Sequence, residues 1–570
     1  MTPSTQELAE LARDVERVES VREVKDVQRA YAHLAQFGRW DAVAALFAEN
    51  GTLRWAEQTV TGRDAIARWL ADRGAPAGRP GALHTEVVEQ PLVNLSVDGR
   101  TAACRWNGMR FLGDGAGEAR IEAGIHENTY VREDGRWRIA SLHFHPLYEG
   151  DYATGWTNAG GNELPIVAPH FTLDEVGVPI PAPDGPAPHT GATTAQLAER
   201  IDRLNDEDAV RNLQNAYGYY VDRRMWADVV DLFGADPSCD DAIVRVDGVG
   251  EYRGADGVRR AMERMGPEGI SHGTLNDHPI FDLIVDVRPG GRDAFARGIE
   301  IGMLGDTHTG TGTWAFSVFR NRFVKDGGRW RLQEVHVTPL LTADYAQGWG
   351  HGGTGPRASR TAPAFLDPAR PTAAGRREEP GPDLAELRRR LSRSRAYDGV
   401  ENVSAAYGYY LDDFQWTEMA GLFAVHGNKQ SPFAGYYIGR ERIMGAATAF
   451  YGGPRPADAL RARISFHWRT QPVVIVSQDG RSATLRTRLF QPRTSMTVTP
   501  GFTGFAGGMY PNDQAVLEDG CWRLWSLTID EHYFSSPTWH GGWPPRRTRP
   551  KGPPTRRRAG CWPCTRRTSR

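Results

Sequence analysis

The sequence predicts an α+β protein of three tandem domains, each a group of helices followed by a curved, mostly antiparallel sheet. Three observations carry that reading. A first block recurs three times, as AYAHLAQFGRWDAVAALF around Tyr31, AYGYYVDRRMWADVVDLF around Tyr217 and AYGYYLDDFQWTEMAGLF around Tyr407. A second block returns in step, as DGRWRI at Trp137, GGRWRL at Trp330 and DGCWRL at Trp522. The period, about 190 residues, is that of a whole domain and far exceeds a solenoid unit. A chain of 570 residues is long enough for three such cores.

Each copy opens with a helix. Val24, Val27, Tyr31 and Leu34 recur at helical spacing, as do Val210, Leu213, Tyr217 and Tyr220. The expected helices are Val24–Leu34, Val210–Tyr220 and Val400–Tyr410. A second helix starts at Trp40, Trp226 and Trp416. A third starts in TGRDAI at Thr61, RGADGV at Arg253 and IGRERI at Ile438, where an acidic residue in the first turn complements the helix dipole. The remainder reads as strands joined by DG or GG turns, for example PLVNLSVDGRTAACRW and PVVIVSQDGRSATLRTRL. Helices followed by a long antiparallel meander define an α+β unit.

Pro- and Gly-rich segments separate the copies. The expected organisation is a first domain over 14–156, a linker and arm over 157–200, a second domain over 201–349, a linker and arm over 350–394, a third domain over 395–543, and a tail over 544–570. The linkers echo each other, DYATGW at Asp151 matching DYAQGW at Asp344, so the first half of each is expected to pack on its own domain as an arm. The tail is dense in Arg and Pro, lacks acidic residues and carries Cys561 and Cys564 without a second cysteine pair; it reads as disordered.

Composition bounds the function. A formal charge of −2 gives no bulk attraction to nucleic acid or to anionic membrane. The N-terminus lacks an apolar signal core, and no apolar run is long enough to span a bilayer. Five cysteines in so long a chain supply no disulfide framework. A cytoplasmic location is the expectation.

The ordered set of a helix, a Trp followed six residues later by Leu-Phe, a Gly-Arg-type helix start, a His near a strand start (His84, His272, His467) and a closing Trp strand resembles the SnoaL-like branch of the nuclear-transport-factor-2-like superfamily. That resemblance covers all three repeats. It implies cone-shaped α+β barrels, with helices packed in the concavity of the sheet and a pocket between them. The fold alone leaves the chemistry open, since it hosts enzymes and binding modules alike.

Candidate chemistry lies in repeats two and three. Tyr219, Tyr220 and Asp222 precede Trp226 at the offsets at which Tyr409, Tyr410 and Asp412 precede Trp416. Tyr219 and Asp222 share a helix face, as do Tyr409 and Asp412. If the strands of His272 and His467 close over that face, each Asp orients its His for proton transfer and the Tyr donates to a substrate oxygen. The arrangement is similar to scytalone dehydratase, where an Asp four residues before the equivalent Trp and a strand His move protons; the other polar residues of that pocket have no clear counterpart here. The bland alternative is that Asp222 and Asp412 cap a turn. Tyr217 and Tyr407 read as core. Such acid/base chemistry requires neither metal nor cofactor. Dehydration, isomerisation or cyclisation of a small oxygenated organic molecule is the favoured class, and a non-catalytic binding or assembly module is the alternative.

Repeat one departs from the pattern, with His33, Leu34 and Gln36 in place of Tyr219, Tyr220 and Asp222. It is expected to lack an equivalent charged pair and to serve as a structural partner or an altered pocket. Its extra histidines, His126, His143 and His145, raise a weaker possibility of a metal flanked with Glu127. An odd number of sheets leaves one face uncovered, which favours a homodimer of chains, whereas a closed pseudo-trimer needs no partner. A small molecule is the expected ligand, with no specific nucleic acid and no membrane.

Overall fold

The long opening helices form because their caps and apolar stripes coincide. Ser4 accepts from the Glu7 amide in a reciprocal capping box, Thr193 does the same with Gln196, and Asp383 caps Glu386. From these caps the computed structural model runs helices Thr5–Ala35, Thr194–Asp222 and Leu384–Asp412, longer at their N-termini than the periodicity predicts. It describes residues 4–74, 81–234, 241–353, 383–431 and 435–534. The basic tail with Cys561 and Cys564, and most of the second linker, lie outside the described residues. A left-handed residue closes each long helix, Gly38 in the first copy and Arg224 and Phe414 in the others. The Trp helices follow at Trp40–Ala44, Trp226–Asp231 and Trp416–Gly421, and the third helices at Arg63–Arg73, Gly254–Glu263 and Arg440–Tyr451.

All three copies share one α+β topology. In the first, strands run in the order 58–61, 47–55, 136–151, 119–133, 101–114 and 82–95. Neighbours are antiparallel except for 47–55, which lies parallel to 136–151; the same parallel pair recurs in the other copies. Each sheet curls around its helices, so the meander expected from the sequence closes over a concave interior. Each strand leading into the meander carries a non-glycine residue at positive φ, namely Gln90, Asp282 and Gln471, where the register shifts.

Those three bulges bind the domains to one another. Tyr409 Oη donates to the Gln90 carbonyl (2.7 Å), Tyr219 Oη donates to the Gln471 carbonyl (2.8 Å), and His33 Nε2 lies 2.8 Å from the Asp282 carbonyl. The bulge side chains return the contact. Gln90 Oε1 accepts from the Arg469 amide (2.7 Å), Gln471 Oε1 from the Ile280 amide (3.3 Å) and Asp282 Oδ2 from the Val88 amide (3.1 Å). Repeat three thus grips repeat one, repeat one grips repeat two, and repeat two grips repeat three. The three units close as a pseudo-threefold ring within one chain. Within the chain this is the closed pseudo-trimer, not the two-plus-one arrangement, of the two weighed from the sequence.

The N-terminal halves of the long helices meet beside the ring, burying Leu11, Val15, Val18, Leu197, Ile201, Leu387 and Leu391 in one core. A charged network crosses the same bundle. Arg22 pairs with Asp398 (3.0 Å) and Asp208 (2.6 Å), and Lys25 with Asp398 (2.7 Å) and Glu401. The arms start on their own domains, with Thr157–Asn158 pairing against strand 136–151, and also reach across the ring. Trp156 Nε1 donates to the Arg493 carbonyl of repeat three (3.0 Å), and Trp349 Nε1 to the Leu112 carbonyl of repeat one (2.7 Å). The first linker continues over repeat three, setting Phe171 against Tyr410. Among the described residues no helix is long and apolar enough to cross a membrane.

Candidate active site

The bulges fix how the copies align. Gln90-Pro-Leu-Val, Asp282-Leu-Ile-Val and Gln471-Pro-Val-Val occupy the same place, so the counterparts of His467 are His278 and Glu86. His84 and His272 lie elsewhere on their strands. Only in repeat three does the expected Asp-His pair form with the expected residues.

There, Asp412 ends the long helix and His467 precedes the bulge residue Gln471 by four residues. His467 Nδ1 lies 2.6 Å from Asp412 Oδ1, and the His467 amide donates to Asp412 Oδ2 (2.9 Å). Both residues are buried. Burial pushes the Asp412 carboxyl up, opposed by His467 and its amide. A carboxylate on Nδ1 fixes the tautomer with the proton there, which leaves Nε2 as the basic nitrogen. Nε2 has no hydrogen-bond partner among the described residues. Two residues along the same strand face, Arg469 pairs with the buried Asp513, donates to Ser404 Oγ (2.7 Å) and lies 3.7 Å from the Tyr510 ring centre. The Tyr510 hydroxyl is within hydrogen-bonding reach of Arg469, and neither it nor Arg469 Nη1 has a further partner among the described residues. Tyr407, which reads as core from sequence, packs edge-on against Tyr510 at 6.3 Å.

In repeat two Asp222 is buried but, among the described residues, hydrogen-bonds neither His272 nor any other imidazole side chain. It accepts from the His278 amide (2.8 Å) and pairs with the Arg488 guanidinium of repeat three, which also binds Asp277 (2.8 Å). His272 is exposed, and its carbonyl lies 3.1 Å from His308 Nε2. The six-residue offset between His272 and His278 is the physical reason the expected pair fails. His278 instead turns Nδ1 to Glu300 (3.1 Å). Burial works against the His278 cation, yet Glu300, Asp222 and Asp277 outweigh it and hold the imidazole above its ordinary value. Tyr219 and Tyr409 are buried with their hydroxyls on the carbonyls of the neighbouring domain, so neither is oriented to donate to a substrate.

Repeat one has Gln36 Nε2 on the Glu86 carbonyl (2.7 Å) where Asp412 holds His467. No Asp-His pair stands at these positions, but charge lies elsewhere in the interior: Glu86 sits 3.5 Å from His84 Nε2, and Arg110 binds Glu122. The histidines considered for a metal separate onto two sheet faces. His126 turns inward against Phe144 at 4.7 Å, while His143 and His145 stack at 3.7 Å on the opposite face. Among the described residues no group of three or more His, Cys, Asp or Glu is placed to hold a metal ion.

Asp412 and His467 are legible in the sequence, whereas Arg469, Asp513, Tyr510 and His278 are not. The Gln-Pro and Asp-Leu steps after the strand histidines were the signal that would have corrected the alignment.

The sequence profile of the SnoaL-like domain matches the chain three times, over residues 16–143, 202–336 and 392–528. No curated protein matches it. Among solved structures, an NTF2-like protein with a cystatin-like fold from Novosphingobium aromaticivorans is 20% identical, covering 26% of this chain and 92% of its own, with a TM-score of 0.22. The hexachlorocyclohexane dehydrochlorinase LinA-type3 from Novosphingobium barchaimii is 16% identical, covering 26% and 94%, with a TM-score of 0.22. ActVI-ORFA from Streptomyces coelicolor is 18% identical, covering 22% and 94%, with a TM-score of 0.20.

Proposed function

The chain belongs to the SnoaL-like domain family, and on that premise we propose that its third repeat is an acid/base enzyme site acting on a small oxygenated organic molecule. The observation that carries the reading is the Asp412–His467 contact, 2.6 Å from Oδ1 to Nδ1. Asp412 takes one bond from the ring at Nδ1 and a second from the His467 backbone amide, which fixes the ring against the helix end, and Nε2 serves the reaction as base. After taking a proton from carbon, the imidazolium is stabilised by the same carboxylate and can return the proton to a leaving hydroxyl or to a second carbon. The negative charge developing on a substrate oxygen meets Arg469 and the Tyr510 hydroxyl, two donors set against each other next to His467. These take the role expected of Tyr409. One proton removed and one delivered accounts for dehydration, isomerisation or cyclisation alike.

For the second repeat the Asp222–Arg488 pair favours the assembly reading, because that carboxylate is committed to a neighbouring domain. The deciding experiment is a metabolite screen followed by turnover assays on the hit. Asp412→Asn and His467→Gln should each lower kcat by about a hundredfold or more while the far-ultraviolet spectrum stays unchanged. Full activity in both variants rejects the catalytic reading and leaves the small-molecule-binding or assembly module.

A further inference from the structure

The first repeat lacks the Asp-His pair, yet its barrel interior carries a charged row of its own. Glu86, Arg110 and Glu122 are register partners on three successive strands, so their side chains stand in one row on the concave face. The same row in repeat two contains Gly302 and Ala315, and in repeat three Gln491 and Ala506. The row is therefore particular to this copy. Trp55 Nε1 donates to Glu122 Oε1 (3.1 Å), and its ring lies 4.2 Å from the Arg110 guanidinium carbon. Trp40 meets His84 edge-on at 5.2 Å, and Phe144 lies 4.2 Å from Trp55.

Within this interior four polar atoms lack a protein partner: Tyr31 Oη, Glu86 Oε1, Arg110 Nε and His126 Nδ1. None of the four residues is more than 4% exposed. Buried polar atoms in a folded chain are normally satisfied, so four together mark a place where something else supplies their hydrogen bonds. We propose that the barrel of the first repeat is a second ligand chamber, taking an uncharged ring compound that presents a hydrogen-bond donor to Glu86 beside an acceptor for Arg110. Glu86 Oε1 can only accept and Arg110 Nε only donate, whereas Tyr31 and His126 adapt to either role. The two carboxylates are matched by two guanidinium groups, the buried Arg110 and, at the edge, Arg73, which lies 3.7 Å from Glu122 Oε1. Burial keeps His84 and His126 neutral, the latter lowered to about 3, so no cation is left over for an anionic ligand. The aromatic walls of Trp40, Trp55 and Phe144 suit a flat ring.

The inference is independent of catalysis in repeat three, and a pair of isosteres tests it. Benzamide carries the N–H donor and carbonyl acceptor on a flat ring; benzoate has the same shape with a negative charge. Calorimetry or saturation-transfer NMR on the full chain should detect benzamide at concentrations up to about 10 mM. Benzoate should bind at least about tenfold more weakly, and Tyr31→Phe or Glu86→Gln should weaken benzamide by a similar factor. Tyr31→Phe preserves ring volume, so it remains informative if Glu86→Gln fails to fold. His467→Gln should leave benzamide binding unchanged. Absence of benzamide binding, equal binding of benzoate, or indifference to Tyr31→Phe would overturn the proposal and assign the four atoms to internal water. Loss of binding in His467→Gln would move the site to repeat three and overturn it equally.

Discussion

Lys429 should destabilise the third repeat, and replacing it with Met should reveal by how much. The residue lies on strand Phe423–Ser431 with its side chain turned inward, only 9% exposed. Its counterparts, Leu53 and Val244, are buried core residues, placed alike by their pairing with the closing strand. Lys429 Nζ has no ion pair or hydrogen bond among the described residues. Burial alone lowers its amine from 10.5 to about 8. At about 1.4 kcal/mol for each pH unit, that displacement corresponds to roughly 3 kcal/mol at neutral pH. The sign follows from proton counting. Below pH 8 both folded and unfolded chains carry the charge, and the folded chain bears the full cost. Between pH 8 and 10.5 the unfolded state holds more protons, so stability rises with pH and the cost fades. Lys429→Met should therefore raise the stability of repeat three by roughly 3 kcal/mol at pH 7 and by only about 1 kcal/mol at pH 9.5. Urea denaturation at the two pH values, with hydrogen exchange on the strand to assign the transition, measures both. The chain has four lysines, so dimethyl-lysine NMR can follow the amine directly. A variant no more stable than the parent at pH 7, or a gain that does not shrink with pH, would refute the argument.

Other outcomes follow from the ring. Tyr409→Phe leaves the buried Gln90 carbonyl without its donor and should cost about 1–2 kcal/mol in denaturation, with turnover in repeat three unchanged; a large fall in kcat at constant stability would return Tyr409 to the substrate. At the interface of repeats one and two, burial and then Glu89 push the Asp282 carboxyl well up, against the Val88 amide and Arg29, with Glu86 adding to the rise. Its folded value lies above the unfolded one, so stability is greatest in acid and falls as pH rises from about 4 through the folded value. Asp282→Asn should flatten that fall, and identical pH profiles for parent and variant would contradict it. Light scattering should return the mass of one chain, 63.1 kDa, because the ring closes internally; twice that mass would show a further interface.

The domain plan was legible because its signals are local. The Tyr, Trp and Leu-Phe positions mark apolar faces at fixed helical spacing, and the DG turns mark hairpins, so one topology repeated three times could be read without a structure. Asp412 and His467 were found for the same reason, as polar residues beside well-marked elements. The pairing of Asp222 with His272 failed because a strand's register is set by its bulge, and the sequence trace of that bulge is only a two-residue step, Gln-Pro in two copies and Asp-Leu in the other. Ring closure was hidden for another reason: Tyr409 and Gln90 are 319 residues apart, and nothing in either neighbourhood names the other. Arg469 and Arg488 lie in alternating strands where a charged residue ordinarily faces water, yet both are buried against aspartates. Lys429 was missed likewise.

The ring of bulges has a consequence for how this protein can change. In an assembly of three identical chains, any substitution appears three times around the axis, and a charge tolerable at one interface is imposed on all. Here the same position reads Gln90, Asp282 and Gln471, and the residue facing the bulge carbonyl reads Tyr409, His33 and Tyr219. Each seam has its own chemistry, and each barrel interior has its own polar set, because one gene encodes all three positions separately. Fusion converts a symmetric object into three independently heritable sites that remain mechanically one body. A variant can lose the function of one barrel while the other two go on holding it in place.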